Sequence, residues 1–227
     1  MAIYSISDLH LGISSNKPMD IFGPRWANYL QLLEENWQKT VGPDDIVLVP
    51  GDISWAMYIS EAEEDFRFLD RLNGIKLISK GNHDYWWETL SKLKKYVEEK
   101  GFSTIRFMHN NIYLHEGIAI CAAKGYPDNG TSAEDQKLYN RELCRLKLSL
   151  DMAKASGAKV IYVMLHYPPT LQSEFAKLME EYGVSRCLYG HLHGNSHKMA
   201  LEGRYNGVEY ILVSADYLQF KPLLLMK

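Results

Sequence analysis

A chain of 227 residues, 46% of them hydrophobic, carries enough apolar side chains for one substantial core, and we read a single domain over residues 1–227. A formal net charge of -3 argues against the basic face of a sequence-independent nucleic-acid binder and points to a small partner, or one engaged only at a site. The sequence offers no apolar run long enough for a membrane span and no leader-like start, and Cys121, Cys144 and Cys187 show no ligand spacing, so inert thiols in a reducing cytoplasm are expected.

Ile3 to Ser7 reads as a strand, Trp26 to Trp37 as a helix by its apolar spacing, and Ile46 to Val49 as a second strand. A helix over Glu61 to Leu72, a strand at Lys76 to Ile78 and a helix from Trp86 to about Glu99 continue this βαβ rhythm. The rhythm then changes. Ile112 to His115 and Ile118 to Cys121 flank Glu116-Gly117 with the two-residue spacing of a hairpin. Thr131-Ser-Ala-Glu134 has the form of a capping box opening a helix that runs to Gly157. Val160 to Leu165 is a buried strand, Glu174 to Glu181 a short helix and Cys187 to Tyr189 another strand, and Asn206-Gly207 joins two final strands, the second over Tyr210 to Val213.

Several of these apolar runs end in a polar word: Asp8-Leu-His10, Gly51-Asp52, Gly81-Asn82-His83-Asp84, a lone His166, and Gly190-His191-Leu-His193. Delivered from strand ends into one cleft, these groups supply enough oxygen and nitrogen donors for two metal ions. Residues two apart in an extended segment point to the same side, so Asp8 and His10, and likewise His191 and His193, can meet one ion. The preceding glycines let the backbone turn where a side chain would not fit. Asp-x-His and Gly-Asp are weak signals alone, but Gly-Asn-His-Asp arises by chance in about one chain of this length in a thousand, and the shared placement after strands adds to it.

With these words in this order, the chain resembles the calcineurin-like metallophosphoesterase superfamily over about residues 5 to 195, whose pattern is DxH, GD, GNH(D/E), H and GHxH. The resemblance implies an α/β fold, a four-layer αββα sandwich in which two mixed β-sheets pack face to face with helices outside. It also implies that Asp8, His10 and His193 hold one metal, that Asn82, His166 and His191 hold the other, and that Asp52 bridges them. Two divalent cations about 3.5 to 4 Å apart need anions between them. Asp8, Asp52 and a bridging hydroxide leave about one excess positive charge, which a phosphate fits. The expected reaction is in-line attack of that hydroxide on phosphorus in a monoester or diester, with Asn82 and His83 contacting substrate. His83 would stabilise charge or protonate the leaving oxygen, and Asp84 would orient its imidazole. The donor set suits manganese, iron, zinc or cobalt, and the resemblance favours manganese or iron.

Trp55 stands where many members of the superfamily carry the last carboxylate of a GDxxD word. His197 reads as an exposed strand residue, and His109 and His115 as surface residues. Tyr85, Trp86 and Trp87 could wall a pocket, although Trp86 also fits core packing with Leu90. The turn-rich segment 124–130 could overhang the cleft, with Lys124 or Arg141 as a phosphate anchor. A non-catalytic metal-binding interaction scaffold of the same fold is the alternative function. A β-lactamase-like dinuclear hydrolase would need an HxHxDH word that the sequence lacks.

Overall fold

The computed structural model describes residues 1–15 and 17–227. Among the described residues eleven strands form two mixed sheets. The first has the order β11-β1-β2-β3-β4, built from β1 (Ile3–Ser5), β2 (Ile46–Val49), β3 (Ile75–Ile78), β4 (Ile105–Phe107) and β11 (Leu223–Met226). Its strands run parallel except β11 against β1. The second sheet has the order β5-β6-β7-β8-β10-β9, from β5 (Ile112–His115), β6 (Ile118–Ala123), β7 (Val160–Leu165), β8 (Arg186–Tyr189), β9 (Gly203–Tyr205) and β10 (Val208–Leu212). Its centre, β6-β7-β8-β10, is parallel and both edges are antiparallel.

The side-chain period of two explains the layering. Ile46 and Leu48 of β2 face the second sheet and meet Ile118, Ile120, Tyr162 and Met164 in a core between the sheets. Their neighbours Val47 and Val49 turn the other way, against Leu33 and Trp37 of α1 (Tyr29–Thr40) and Phe66 and Leu69 of α2 (Glu63–Arg71), and α3 (Leu90–Lys100) adds Leu93 to this layer. In the second sheet Ala119, Cys121, Ile161 and Val163 face Leu146 and Leu150 of α4 (Ala133–Ala155) and Phe175 and Met179 of α5 (Glu174–Glu181). Three apolar layers between four tiers are the αββα sandwich that the sequence pattern implied.

Four details depart from the sequence reading. The first helix begins at Tyr29, because Pro24–Trp26 forms a separate 3-10 turn. Trp86 is buried in the core but lies before α3, in a loop rather than on a helix. The capping box is shifted by one residue, with Ser132 accepting from the Asp135 amide. β4 and β11 are short edge strands that the periodicity did not single out.

Both sheets deliver their parallel strands in a common direction, and they join beyond the strand ends. Ser7 bridges Ser214 in parallel, its amide donating to Val213 O (2.8 Å) while its carbonyl accepts from the Ala215 amide (2.9 Å). The carboxyl ends of β1, β2, β3, β7, β8 and β10 therefore open onto one cleft, the usual ligand position in α/β sheets.

Candidate metal centre

Past the end of β1 the chain keeps the register it had with β2. Asp8 N donates to Gly51 O (3.0 Å), His10 N to Asp52 O (3.0 Å) and Leu11 N to Ile53 O (2.9 Å), so the first two polar words run side by side. Asp8, His10, Asp52 and His191 have positive φ, at 56°, 45°, 52° and 72°. The expectation of an extended Asp8-x-His10 segment is thus corrected: left-handed backbone at both residues, not strand alternation, aims the two side chains inward. Such residues cost about 1–3 kcal/mol each and persist where surrounding structure over-determines them. Here the glycines of the words give room. A Cβ at Gly81 would fall on the Asp52 carboxylate, and one at Gly190 on that of Asp8.

The seven metal-ligand positions expected from the sequence converge. Asp8, His10 and His193 bring donor atoms within 4.8 Å of one another, as do Asp8, Asp52 and His166. His193 Nε2 is 3.3 Å from both Asp8 Oδ1 and His10 Nε2. Asp52 Oδ2 lies 3.4 Å from His166 Nε2 and 3.8 Å from His10 Nε2. Asn82 Oδ1 is 2.6 Å from His166 Nε2 and 2.9 Å from His191 Nδ1.

Hydrogen bonding on the far side of two rings fixes which nitrogens carry lone pairs. His166 Nδ1 is 3.0 Å from the Pro50 carbonyl, which can only accept, so the neutral ring has its lone pair on Nε2, toward Asn82 Oδ1 and Asp52 Oδ2. His193 Nδ1 likewise meets Asp216 Oδ1 at 2.9 Å, leaving Nε2 toward Asp8 and His10. Lone pairs aimed at one another in a buried cleft repel unless a cation lies among them, so these residues fit a pair of metal ions held by oxygen and nitrogen.

The titration of the cluster has the same sense. Burial pushes the Asp52 carboxyl well up, and the Asp8 and Asp84 carboxylates push it further. Burial also pushes Asp8 up, but the His193 hydrogen bond and the imidazoles of His166, His193 and His10 outweigh it and hold Asp8 below the usual carboxylate range. Burial lowers His10 to about 3 and His166 to about 4, keeping both neutral as ligands require. His193 is raised to about 10: burial opposes the shift, but hydrogen bonds to Asp216 and Asp8 override it. That spot calls for positive charge, which either a proton on Nε2 or a metal ion on the Nε2 lone pair of the neutral ring supplies.

His83 stands at the rim. Its amide donates to Asp52 Oδ1 (2.8 Å), and its half-buried ring lies 5.6 Å from that of His10 and 4.5 Å from that of Trp55. Burial, then the Lys17 ammonium, lowers its pKa. The expectation that Asp84 orients this imidazole is corrected. The fully buried Asp84 carboxylate accepts from the amides of Gly81 (2.7 Å), Asp52 (2.9 Å), Ile53 (2.8 Å) and Ser54 (3.4 Å) and from Trp86 Nε1 (3.1 Å), and none of its hydrogen bonds comes from His83. It clamps the loop after β2 to the loop after β3. Burial raises it to about 6 against the pull of those backbone amides.

Sequence reading missed Asp216, whose second oxygen accepts from Gly194 N (3.0 Å) and faces His197 Nε2 at 3.2 Å. His197 is therefore not an exposed strand residue but part of a 3-10 turn packed on Asp216. His109 and His115, read as surface residues, are partly buried, and Tyr85 is exposed. Lys124 lies over the Tyr126 and Tyr167 rings, 5.8 and 5.6 Å from their centroids, and Arg141 pairs with the buried Glu142 (3.5 Å). No described helix is long and apolar enough to cross a membrane.

The calcineurin-like phosphoesterase family profile matches residues 1–195, and the chain belongs to that family. Three solved structures are similar to this chain over nearly its whole length. They are the phosphopantetheinyl hydrolase PptH of Mycobacterium tuberculosis (15% identity, 99% of this chain and 95% of that one, TM-score 0.55), TT1561 of Thermus thermophilus (11%, 99% and 97%, 0.57) and AQ665 of Aquifex aeolicus, a protein of unknown function (21%, 98% and 95%, 0.49). At these identities PptH and TT1561 speak for the fold. Among curated proteins none matches this chain.

Proposed function

We propose that the chain is a cytoplasmic metal-dependent phosphohydrolase that cleaves a small phosphomonoester or phosphodiester at the cleft between the two sheets. One observation carries this reading: Asp8, His10, Asp52 and Asn82 from the first sheet and His166, His191 and His193 from the second aim lone pairs at a common space. Two divalent ions held there, manganese or iron by resemblance and zinc or cobalt equally suited by donor type, would supply Lewis acidity toward a phosphoryl oxygen and acidify a water. PptH, of the same fold, is by its name a hydrolase of a phosphopantetheinyl group.

The protein's own side chains set the rest. Asp52, buried between two other carboxylates, is the residue that two cations relieve most, which fits it for the bridging position. Burial and the Lys17 ammonium favour the neutral ring of His83, whose N–H at the rim suits it to stabilise charge developing on a phosphoryl oxygen; protonating the leaving oxygen would call for its imidazolium form. Asp84 acts through the backbone, holding Asp52 and the Gly81 turn in place.

The test is a screen of the manganese-, iron-, zinc- and cobalt-loaded protein against p-nitrophenyl phosphate, its bis ester, cyclic nucleotides and single-stranded DNA. Turnover with at least one metal is expected, and His83→Ala should lower kcat by about 100-fold or more while binding the same number of metal ions. Full metal loading without turnover of any ester would instead support the interaction scaffold.

A further inference from the structure

A cavity of about 530 Å³ opens beside the metal-ligand side chains, with His10, His83 and His193 at its inner end. This is within the size range of small-ligand sites. Its apolar walls come from two places in the sequence, the segment after β1, which supplies Met19, Phe22 and Trp26, and Trp55, three residues past Asp52; Gly194, Asn195 and Asp216 add to the lining.

Trp55 is held rigidly. Its ring stacks on His10 (centroids 4.9 Å apart, 22° between planes), the Lys17 ammonium lies 3.2 Å from its centroid, and its indole N–H points at Met19 Sδ at 3.0 Å. Phe22 lies within 8° of the Trp55 plane, with ring centroids 6.4 Å apart, and is 55% exposed. Trp26 meets His10 edge-on at 5.8 Å. An exposed phenyl ring beside the metal-ligand side chains has no role in the core and is what a flat ring would pack against, while Trp55, covered by His10 and Lys17, borders it with its edge.

The polar groups of the cavity narrow the occupant. Asp216 also lines it, but its oxygens already serve His193, Gly194 and His197. Arg25 and Asn195 line it too, and Arg25 makes no ion pair or side-chain hydrogen bond with other described residues. A free guanidinium and an amide at the edge of an aromatic pocket suit a ring bearing carbonyl or ring-nitrogen acceptors better than a hydrocarbon chain.

We propose that this pocket receives the alcohol part of the ester, and that the substrate carries there a flat heteroaromatic ring of nucleobase type, packed on the face of Phe22, bordered by the edge of Trp55 and met at its own edge by Arg25. The inference rests on the hydrolase reading given above. Phe22, Trp55 and Arg25 are specificity-determining residues in it.

Adenosine 5′-monophosphate and ribose 5-phosphate leave as the same kind of primary alkoxide and differ only in the base, so their comparison separates the pocket from leaving-group chemistry. Thymidine 5′-p-nitrophenyl phosphate and methyl p-nitrophenyl phosphate form the matching diester pair, both losing p-nitrophenolate. In the metal-loaded protein the base-bearing member of the productive pair should have the higher kcat/KM, by about tenfold or more, and the binding constants of the two monoesters by isothermal titration should differ in the same direction. Phe22→Ala should shrink both ratios several-fold, and Arg25→Ala should shrink them also. Ile21→Ala, at the neighbouring exposed position outside the cavity, should leave both ratios intact. Ratios near one, or hexyl phosphate outperforming both monoesters, would overturn the proposal, the second result assigning the pocket to an aliphatic chain. Absence of turnover with every ester and metal would remove the hydrolase reading alone, and the titration ratio would still decide the pocket.

Discussion

The two halves of the centre are built differently. The first sheet contributes the oxygen donors, Asp8, Asp52 and Asn82, and one imidazole, His10, on loops tied to one another through the backbone: Asp84 takes amides from both sides of the β2–β3 gap, and Asp65 of α2 takes the amides of Ile13 (2.9 Å) and Ser14 (3.1 Å) together with the Ser54 hydroxyl (2.5 Å). The second sheet contributes imidazoles only, held by few contacts outside the cluster. His166 leans on the Pro50 carbonyl and the His191 amide on Asp8, both from the first half, and only His193 has a partner from its own side, Asp216. The acidic half is thus a braced frame and the histidine half a set of ligands propped against it. The frame should fail as a unit, whereas a histidine should fail one at a time.

The largest effect therefore belongs to Asp84. In Asp84→Asn a carboxylate oxygen that accepts from buried amides becomes an NH2 group facing other donors, and several buried N–H groups lose their partner at about 1–3 kcal/mol each. We expect the thermal midpoint to drop by several degrees and the affinity for both metal ions, by titration calorimetry, to fall more than about 100-fold. A variant that kept both ions at normal affinity would show that the frame is not what holds Asp52 in place.

A smaller, one-sided loss is expected at Asp216. Asp216→Asn can still meet His193 Nδ1, but without the charge that steadies the ring, and such outer partners are worth about 10- to 100-fold in metal affinity. The loss should fall on the ion that Asp8, His10 and His193 would hold, leaving the other near normal, with a smaller drop in the thermal midpoint than Asp84→Asn because only the Gly194 amide loses its acceptor. Equal weakening of both ions would mean that the two halves are not separable.

The same contrast explains what the sequence disclosed. Buried parallel strands are unbroken apolar runs, so β2, β6, β7 and β8 announced themselves, and the polar words stood out because they interrupt those runs at their carboxyl ends. Both sheets, and the meeting of the polar words at one cleft, followed. Asp216 did not, because nothing in Ser214-Ala-Asp216 marks it: its place depends on the Ser7–Ser214 bridge, a tertiary contact spanning nearly the whole chain. Asp84 was misassigned for a related reason. Adjacency to His83 suggested a side-chain pair, but the turn sends the two side chains in different directions, and only the fold reveals four amides converging on the carboxylate. Left-handed backbone at Asp8 and His10 was equally hidden, since neither residue is a glycine and the strain is sustained by neighbouring loops.

The smallest expected effect lies away from the centre and asks whether a buried charge outside it is braced at all. Lys76 of β3 is fully buried on the helix side of the first sheet, where its ammonium meets the carbonyls of Leu72 (2.5 Å) and Asp70 (3.3 Å) at the end of α2. Burial lowers its pKa to about 7, with Asp70 opposing the shift. In the unfolded chain a lysine holds its proton to about pH 10.4. Between about pH 7 and 10 the unfolded state therefore binds a proton that the folded state has released, so the parent protein should gain stability relative to Lys76→Met as pH rises through that window, with a slope of at most about 1.4 kcal/mol per pH unit. Below pH 7 both states are protonated and the difference should level off. Urea unfolding of the two proteins between about pH 6 and 9.5 measures it, and a difference that stays flat would mean that the two carbonyls and the nearby Asp70 keep Lys76 charged, bracing a buried cation as firmly as the acidic frame holds its ligands.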